Sequence, residues 1–125
     1  MLFVHKSIAE AFLDKFCKEV ENLVPGMPWE EGAKITPLPE TDKTAYLTEL
    51  IDDAMKLGAS VKNDTGGLGN LTFMFPAVLY PVTPEMRIFQ EEQFGPVIPV
   101  IPYDNSEDLM TYVTESDYGQ QISIF

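Results

Sequence analysis

The sequence predicts an α/β fold: a largely parallel sheet flanked by helices. Two stretches place apolar residues at helical spacing over several turns, and a shorter third one follows near the end. Short β-rich runs precede, separate and follow these stretches, the alternation expected when helices cover a parallel sheet. There is no repeat, low-complexity tract or internal linker in the 125 residues, so residues 1–125 read as a single domain.

The first run, "LFVHKS", is a strand that stops at Ser7. Ser7 and Glu10 have the S-x-x-E spacing of a capping box, which predicts a helix start. Ile8, Phe12, Phe16 and Val20 then recur every fourth residue, with Leu13 and Leu23 widening the stripe, for a helix of about four turns. Residues 24–42 hold four prolines and two glycines and read as a surface connection. Thr41 or Asp42 is expected to cap a second helix, in which Leu47, Leu50, Ile51 and Ala54 form one apolar face and Gly58 supplies the stop. "ASVKN" is a short strand candidate, and "DTGGLGN" a glycine-rich connection. The latter lacks both the Lys-Ser/Thr of a P-loop and the G-x-G-x-x-G spacing, so it offers no phosphate cradle.

Residues 71–80 alternate aromatic and aliphatic side chains, and Pro76 predicts an edge or bent strand. Thr83-Pro84 opens a short turn. "PVIPVIPYD" is β-rich, although Pro99 and Pro102 forbid full ladder pairing on both sides. Asp104 and Glu107 offer a second capping box, Leu109, Tyr112 and Val113 an apolar face ending near Gly119, and "QQISIF" a closing strand.

Twenty acids against eight bases give a net charge of −12. That balance favours solubility and argues against nucleic acid or an anionic membrane surface as partner. No run approaches the roughly 20 apolar residues that span a bilayer, and the N-terminus lacks a signal-peptide pattern. Two N-x-T sequons, at Asn63 and Asn70, are taken as chance, and a cytoplasmic protein is expected.

Few side chains offer chemistry. Cys17, the only cysteine, falls mid-helix, where nothing lowers its pKa, and reads as a packing residue. His5, the only histidine, has no local serine or carboxylate partner by sequence and reads as a packing or surface residue. No calcium-loop pattern accompanies the acids of "EMRIFQEE", so no metal site is expected.

"EEQFGPV", residues 91–97, stands apart. A carboxylate has two acceptor oxygens, matching the two hydroxyls of a ribose, and an aromatic ring two residues on can lie against a flat heterocycle. In an extended segment Glu92 and Phe94 face one side and Glu91 the other, toward a backbone amide or basic partner. Gly95 permits close backbone approach and Pro96 fixes the turn. The pair in "WEEG", residues 29–32, lacks this context and reads as solvated surface. From the residues alone, nucleotide binding and a purely structural turn both stand.

"RIFQEEQFGPVIPVI" resembles the E-E-x-F-G-P signature of the aldehyde dehydrogenase superfamily. "LFVHKSIAEAFLDKF" resembles the strand and helix that follow the family's catalytic cysteine. "LIDDAMKLGASV" is similar to the helix and strand before its glycine-bearing loop, and "ESDYGQQISIF" to its S-x-Y-G-L-x-x-x-V/I-F segment, with Gln120 where leucine is usual. "ITPLPE" leans toward the non-phosphorylating glyceraldehyde-3-phosphate dehydrogenase branch. The resemblance implies a partial catalytic domain of an enzyme that oxidises an aldehyde to a carboxylic acid with NAD or NADP, by thiolate attack, hydride transfer and thioester hydrolysis. It implies that Glu92 holds the hydroxyls of the nicotinamide ribose and that Phe94 touches the nicotinamide region, with Glu91, Gly95 and Pro96 completing the turn.

By the same resemblance the nucleophilic cysteine falls a few residues before Met1. The general base, the oxyanion asparagine and the cofactor domain lie further upstream, and the oligomerisation strand lies downstream. No catalytic residue is therefore expected within the chain, which should be inactive alone and bind cofactor weakly or not at all. Nicotinamide cofactor and a small aldehyde are the partners implied for the full-length enzyme, with a homo-oligomer as a further option. The alternative is a non-catalytic binding or assembly module derived from such an enzyme, using an apolar sheet edge or face to associate.

Overall fold

The computed structural model describes residues 1–118 and 121–125. Strand β1 (Leu2–His5) leads through a 3-10 turn (Lys6–Ile8) into helix α1 (Ala9–Glu21). Helix α2 (Lys43–Lys56) follows the proline-rich connection. Strands β2 (Ser60–Val61), β3 (Gly69–Asn70), β4 (Phe73–Met74) and β5 (Ala77–Tyr80) come next. A single helical turn, α3 (Arg87–Gln90), precedes strand β6 (Val97–Tyr103) and helix α4 (Ser106–Glu115).

The main sheet has the order β1-β6-β5-β2. β6 pairs in parallel with both β1 and β5, and β2 is antiparallel to β5. Strand periodicity divides the apolar side chains between two faces. Phe3, Ala77, Leu79, Val97 and Ile101 pack with Leu47, Leu50, Ile51 and Ala54 of α2. Leu2, Val4, Val78, Ile98 and Val100 pack with Leu13, Phe16 and Val20 of α1. The expected α/β fold with a mostly parallel sheet is thus present, one long helix on each face. Burial of each of the large α2 side chains contributes on the order of 1.5–3 kcal/mol, which fixes α2 against the sheet below the 91–96 segment. Gly58, at φ +104°, ends this helix as expected.

Prolines in β6 do not expel it from the sheet centre. Ala77 N–H donates to Pro96 O and Val82 N–H to Val100 O, so even-numbered residues of β6 turn their backbone groups toward β5 and odd-numbered ones toward β1. The donor that Pro99 lacks would therefore point at β1, which begins only opposite Val100. The donor that Pro102 lacks would point at β5, whose paired residues end at Leu79 opposite Pro99. Among the described residues, neither missing N–H faces a paired residue of the neighbouring strand.

Several local expectations differ. The Ser7–Glu10 box does not form: His5 caps the 3-10 turn by accepting from Ser7 N–H, and α1 starts later with no side-chain cap. At α2 Asp42 occupies the N-cap position without a capping hydrogen bond. At α4 the cap is Asn105, which accepts from Glu107 and Asp108 N–H, one residue beyond the expected Asp104. Asp104 instead pairs with Lys6 across the end of the sheet. The 71–80 run is split at Pro76, and β5 lies inside the sheet, so a bend rather than an edge position accommodates the proline. The turn at Thr83 is present, with Met86 N–H donating to Thr83 O, and Met86 occupies the N-cap position of α3 without a side-chain hydrogen bond. Residues 121–125 are exposed and the expected closing strand is not seen among the described residues. Gly119 and Gln120 lie outside the described residues.

Asn63 was legible only as a sequon, and its structural role is larger. It is buried, its Nδ2 donates to Pro76 O at 2.8 Å, and its Oδ1 accepts from Val78 N–H at 2.9 Å. β2 has ended by this point, and the amide side chain continues the ladder along β5 in place of backbone.

Candidate functional site

The segment between α3 and β6 builds the site. Glu91 leaves α3 in extended conformation, φ −88° and ψ 134°, so side chains beyond it alternate. Glu91 and Gln93 are half-buried, whereas Glu92 and Phe94 are exposed. Burial thus alternates along the segment, with Glu92 and Phe94 the exposed pair. Phe94 is 83% exposed, a large apolar surface for one ring. Among the described residues no hydrogen bond or ion pair engages the Glu92 carboxylate. A groove of about 420 Å³ opens beside the Phe94 ring, lined by Ile35, Leu38, Pro39, Lys43, Pro76 and the Gly95-Pro96 turn.

The inward residues are held. Arg87 Nε donates to Glu91 Oε1 at 2.6 Å and its Nη2 to Oε2 at 3.2 Å. Tyr46 O–H donates to the same Oε2 at 3.0 Å. Arg87 N–H in turn donates to Asp53 Oδ2, and Glu49 lies 3.8 Å from its guanidinium. Gln93 Nε2 donates to Val97 O, while its Oε1 is enclosed without a partner among the described residues. The basic partner expected for Glu91 is thus Arg87. Its i, i+4 spacing from Glu91 was readable as a helical pair. Tyr46, from α2, had no local signal.

Gly95 is fixed by sterics. A Cβ there would lie 2.5 Å from Leu47 Cδ1, on a side chain with no exposed surface. Close passage of the turn over α2 requires glycine.

Hydrogen bonds from Arg87 hold the Glu91 carboxyl below the usual carboxylate range, with help from Tyr46 and against partial burial. Burial and the Glu91 contact push the Tyr46 phenol up. A carboxylate with a depressed folded pKa contributes stability that is complete above its unfolded value, about 4.3, and lost as pH falls through the lower folded value. The Glu91 and Arg87 amide resonances should accordingly hold steady at neutral pH and move only on acidification below that value. A midpoint at or above the ordinary glutamate value would contradict the arrangement.

The other candidates fall elsewhere. Cys17 sits mid-α1, and burial followed by Glu21 and Asp14 raises its thiol pKa, the reverse of nucleophile activation. His5 does have a serine neighbour, contrary to expectation: Ser7 Oγ lies 2.8 Å from Nδ1, and Nε2 is 3.1 Å from Asp104 O. Ser7 N–H also points at Nδ1, so that atom accepts and Nε2 donates. This is a turn-capping histidine with both nitrogens engaged. Glu30 and Glu31 of "WEEG" are exposed, and Glu30 accepts from Met27 N–H within its loop. No group of three or more metal-ligating side chains gathers among the described residues, and none of their helices is long and apolar enough to cross a membrane.

A model of the aldehyde dehydrogenase family matches residues 1–125. The chain belongs to the aldehyde dehydrogenase family. It is 39% identical over 124 residues to the NADP-dependent glyceraldehyde-3-phosphate dehydrogenase of Streptococcus equinus, covering 99% of this chain and 25% of the relative. With the 3-sulfolactaldehyde dehydrogenase of Priestia aryabhattai it shares 31% identity over 124 residues, 99% of this chain and 26% of the relative. Among solved structures, the NADP-dependent glyceraldehyde-3-phosphate dehydrogenase of Bacillus halodurans C-125 complexed with NADP matches at a TM-score of 0.85 and 36% identity, over 94% of this chain and 24% of that one. The chain spans about a quarter of the length of the family members it matches.

Proposed function

We propose that this chain carries the cofactor-gripping loop of an NAD(P)-dependent aldehyde dehydrogenase. The observation that carries the reading is an exposed Glu92 carboxylate, without an ion-pair partner among the described residues, two positions from the exposed Phe94 ring, which itself lines an apolar groove. Glu92 accepts hydrogen bonds from the two hydroxyls of the nicotinamide ribose, and Phe94 lies against the nicotinamide region. The residues fit such a group, since a free two-oxygen acceptor and a flat apolar face stand on one side of one extended segment. Oxidised nicotinamide, when bound, supplies the hydride acceptor for aldehyde oxidation. The chain's own residues orient it. Glyceraldehyde 3-phosphate is the candidate aldehyde, in keeping with the "ITPLPE" segment and with the names of two of the similar proteins.

In this reading the nucleophile is not among these residues, in keeping with the one cysteine lying mid-α1 with its thiol pKa raised by burial. The chain alone should form no NAD(P)H from aldehyde and NAD(P)+ in an absorbance assay, and sustained turnover would overturn this reading. The grip itself is tested in a chimera carrying this segment in place of the matching quarter of the Streptococcus equinus enzyme. A hydrogen bond to a charged group is worth about 1.5–3 kcal/mol, so Glu92→Gln should raise the KM for NADP+ by roughly 10- to 150-fold. An unchanged KM would sink the assignment of Glu92.

A further inference from the structure

We infer that Arg87 and Tyr46 are positioning residues: by seizing the Glu91 carboxylate from two helices, they set the direction in which Glu92 and Phe94 face. What that direction serves rests on the cofactor-loop reading above; the orientation itself does not. Residues 91–96 belong to no helix or strand, and among the described residues few backbone bonds hold them. Glu91 N–H reaches Arg87 O, and Pro96 O receives Ala77 N–H. Between those two points the anchors are side chains, and they lie on alternate residues. Glu91 is gripped by the Arg87 fork and the Tyr46 hydroxyl, and Gln93 is tied to Val97 O. In an extended segment, fixing residues 91 and 93 inward leaves 92 and 94 one way to point.

The geometry is suited to orientation rather than to stability. An Arg–carboxylate fork constrains the plane of the carboxylate as well as its position, and Tyr46 adds a third bond from α2, whose apolar face is locked in the core. Arg87 is itself oriented, its N–H bonded to Asp53 of α2. The loop direction is thereby referred to α2 through two routes. A half-exposed ion pair of this kind contributes little to global stability. Its effect is confined to the loop, and that separates it from an ordinary structural contact.

The test is nitrogen-15 relaxation on the 125-residue chain, comparing wild type with R87M, E91Q, R87K and Y46F, while the amide order of β6 and α2 reports the fold. In R87M and E91Q the order parameters of residues 92–94 should fall from about 0.85 to below about 0.6, with β6 and α2 unchanged. R87K should give an intermediate loss, because lysine offers a point charge instead of a fork, and Y46F a smaller one. Wild-type order at 92–94 in both R87M and E91Q would overturn the inference. So would a loss that appears only together with loss of order in β6. Should R87M fail to fold, R87K decides: reduced order at 92–94 upholds the inference and wild-type order defeats it. The cofactor reading fails by a different measurement, the KM of the Glu92→Gln chimera.

Discussion

Replacing Asn63 by alanine should destabilise the chain by roughly 2–5 kcal/mol. The Val78 N–H and the Pro76 C=O both lose their partner, and both residues are buried. A buried polar backbone group left unsatisfied costs about 1–3 kcal/mol, and a cavity the size of the lost amide adds to this. Asn63→Asp should be no better, since a carboxylate cannot donate to Pro76 O and would bring a charge into an enclosed site. The same change at the exposed Asn70 should fall within about 0.5 kcal/mol of wild type. Denaturant unfolding of the three variants checks this. Near-wild-type stability of Asn63→Ala would mean that water replaces the amide on β5.

Gly95→Val should have the second large effect and should act on the site as well as on the fold. The new side chain meets Leu47, which is fully enclosed against the sheet and has no free volume to yield. Overpacking of this kind costs about 1–3 kcal/mol, relieved only by lifting the turn off α2. Lifting it displaces Phe94, the immediate neighbour, and opens one wall of the groove beside the ring. Thermal unfolding should show the loss, and the amide shifts of residues 92–96 should change more than those of β1. Gly95→Ala should show the same pattern at smaller amplitude.

The two helices with repeated apolar spacing were legible because their signal is local and redundant. Leu47, Leu50, Ile51 and Ala54 are all buried where the period places them. The cap residues were harder. Ser7 and Asp104 have the right chemistry at nearly the right place, but His5 and Asn105 are where the backbone turns. A shift of one or two residues decides a cap and leaves the hydrophobic pattern unaltered. The alternation of Glu91, Glu92, Gln93 and Phe94 was readable because extended chain has a period of two. Tyr46 was not, since it lies 45 residues from Glu91 and reaches it only through the packing of α2. Asn63 was hidden for a related reason: its partners are backbone atoms, which leave no mark in sequence. The last five residues failed in the opposite sense, carrying a strand-like pattern with no strand beside them.

The two prolines of β6 act together as a register key. A strand held on both sides by parallel ladders could slide by two residues and keep the same side chains on the same faces, so hydrophobic patterning alone does not forbid the error. Sliding β1 back along β6 would bring Pro99 under a β1 carbonyl that finds no donor. Sliding β5 forward would do the same at Pro102. Each proline thus penalises a slip of one neighbour in one direction. Since Glu92 and Phe94 run into β6 through only the Gly95-Pro96 turn, the alignment of that strand also sets how far the outward pair stands above the sheet. A device that guards against mispairing during folding therefore also gauges the height of the 91–96 segment.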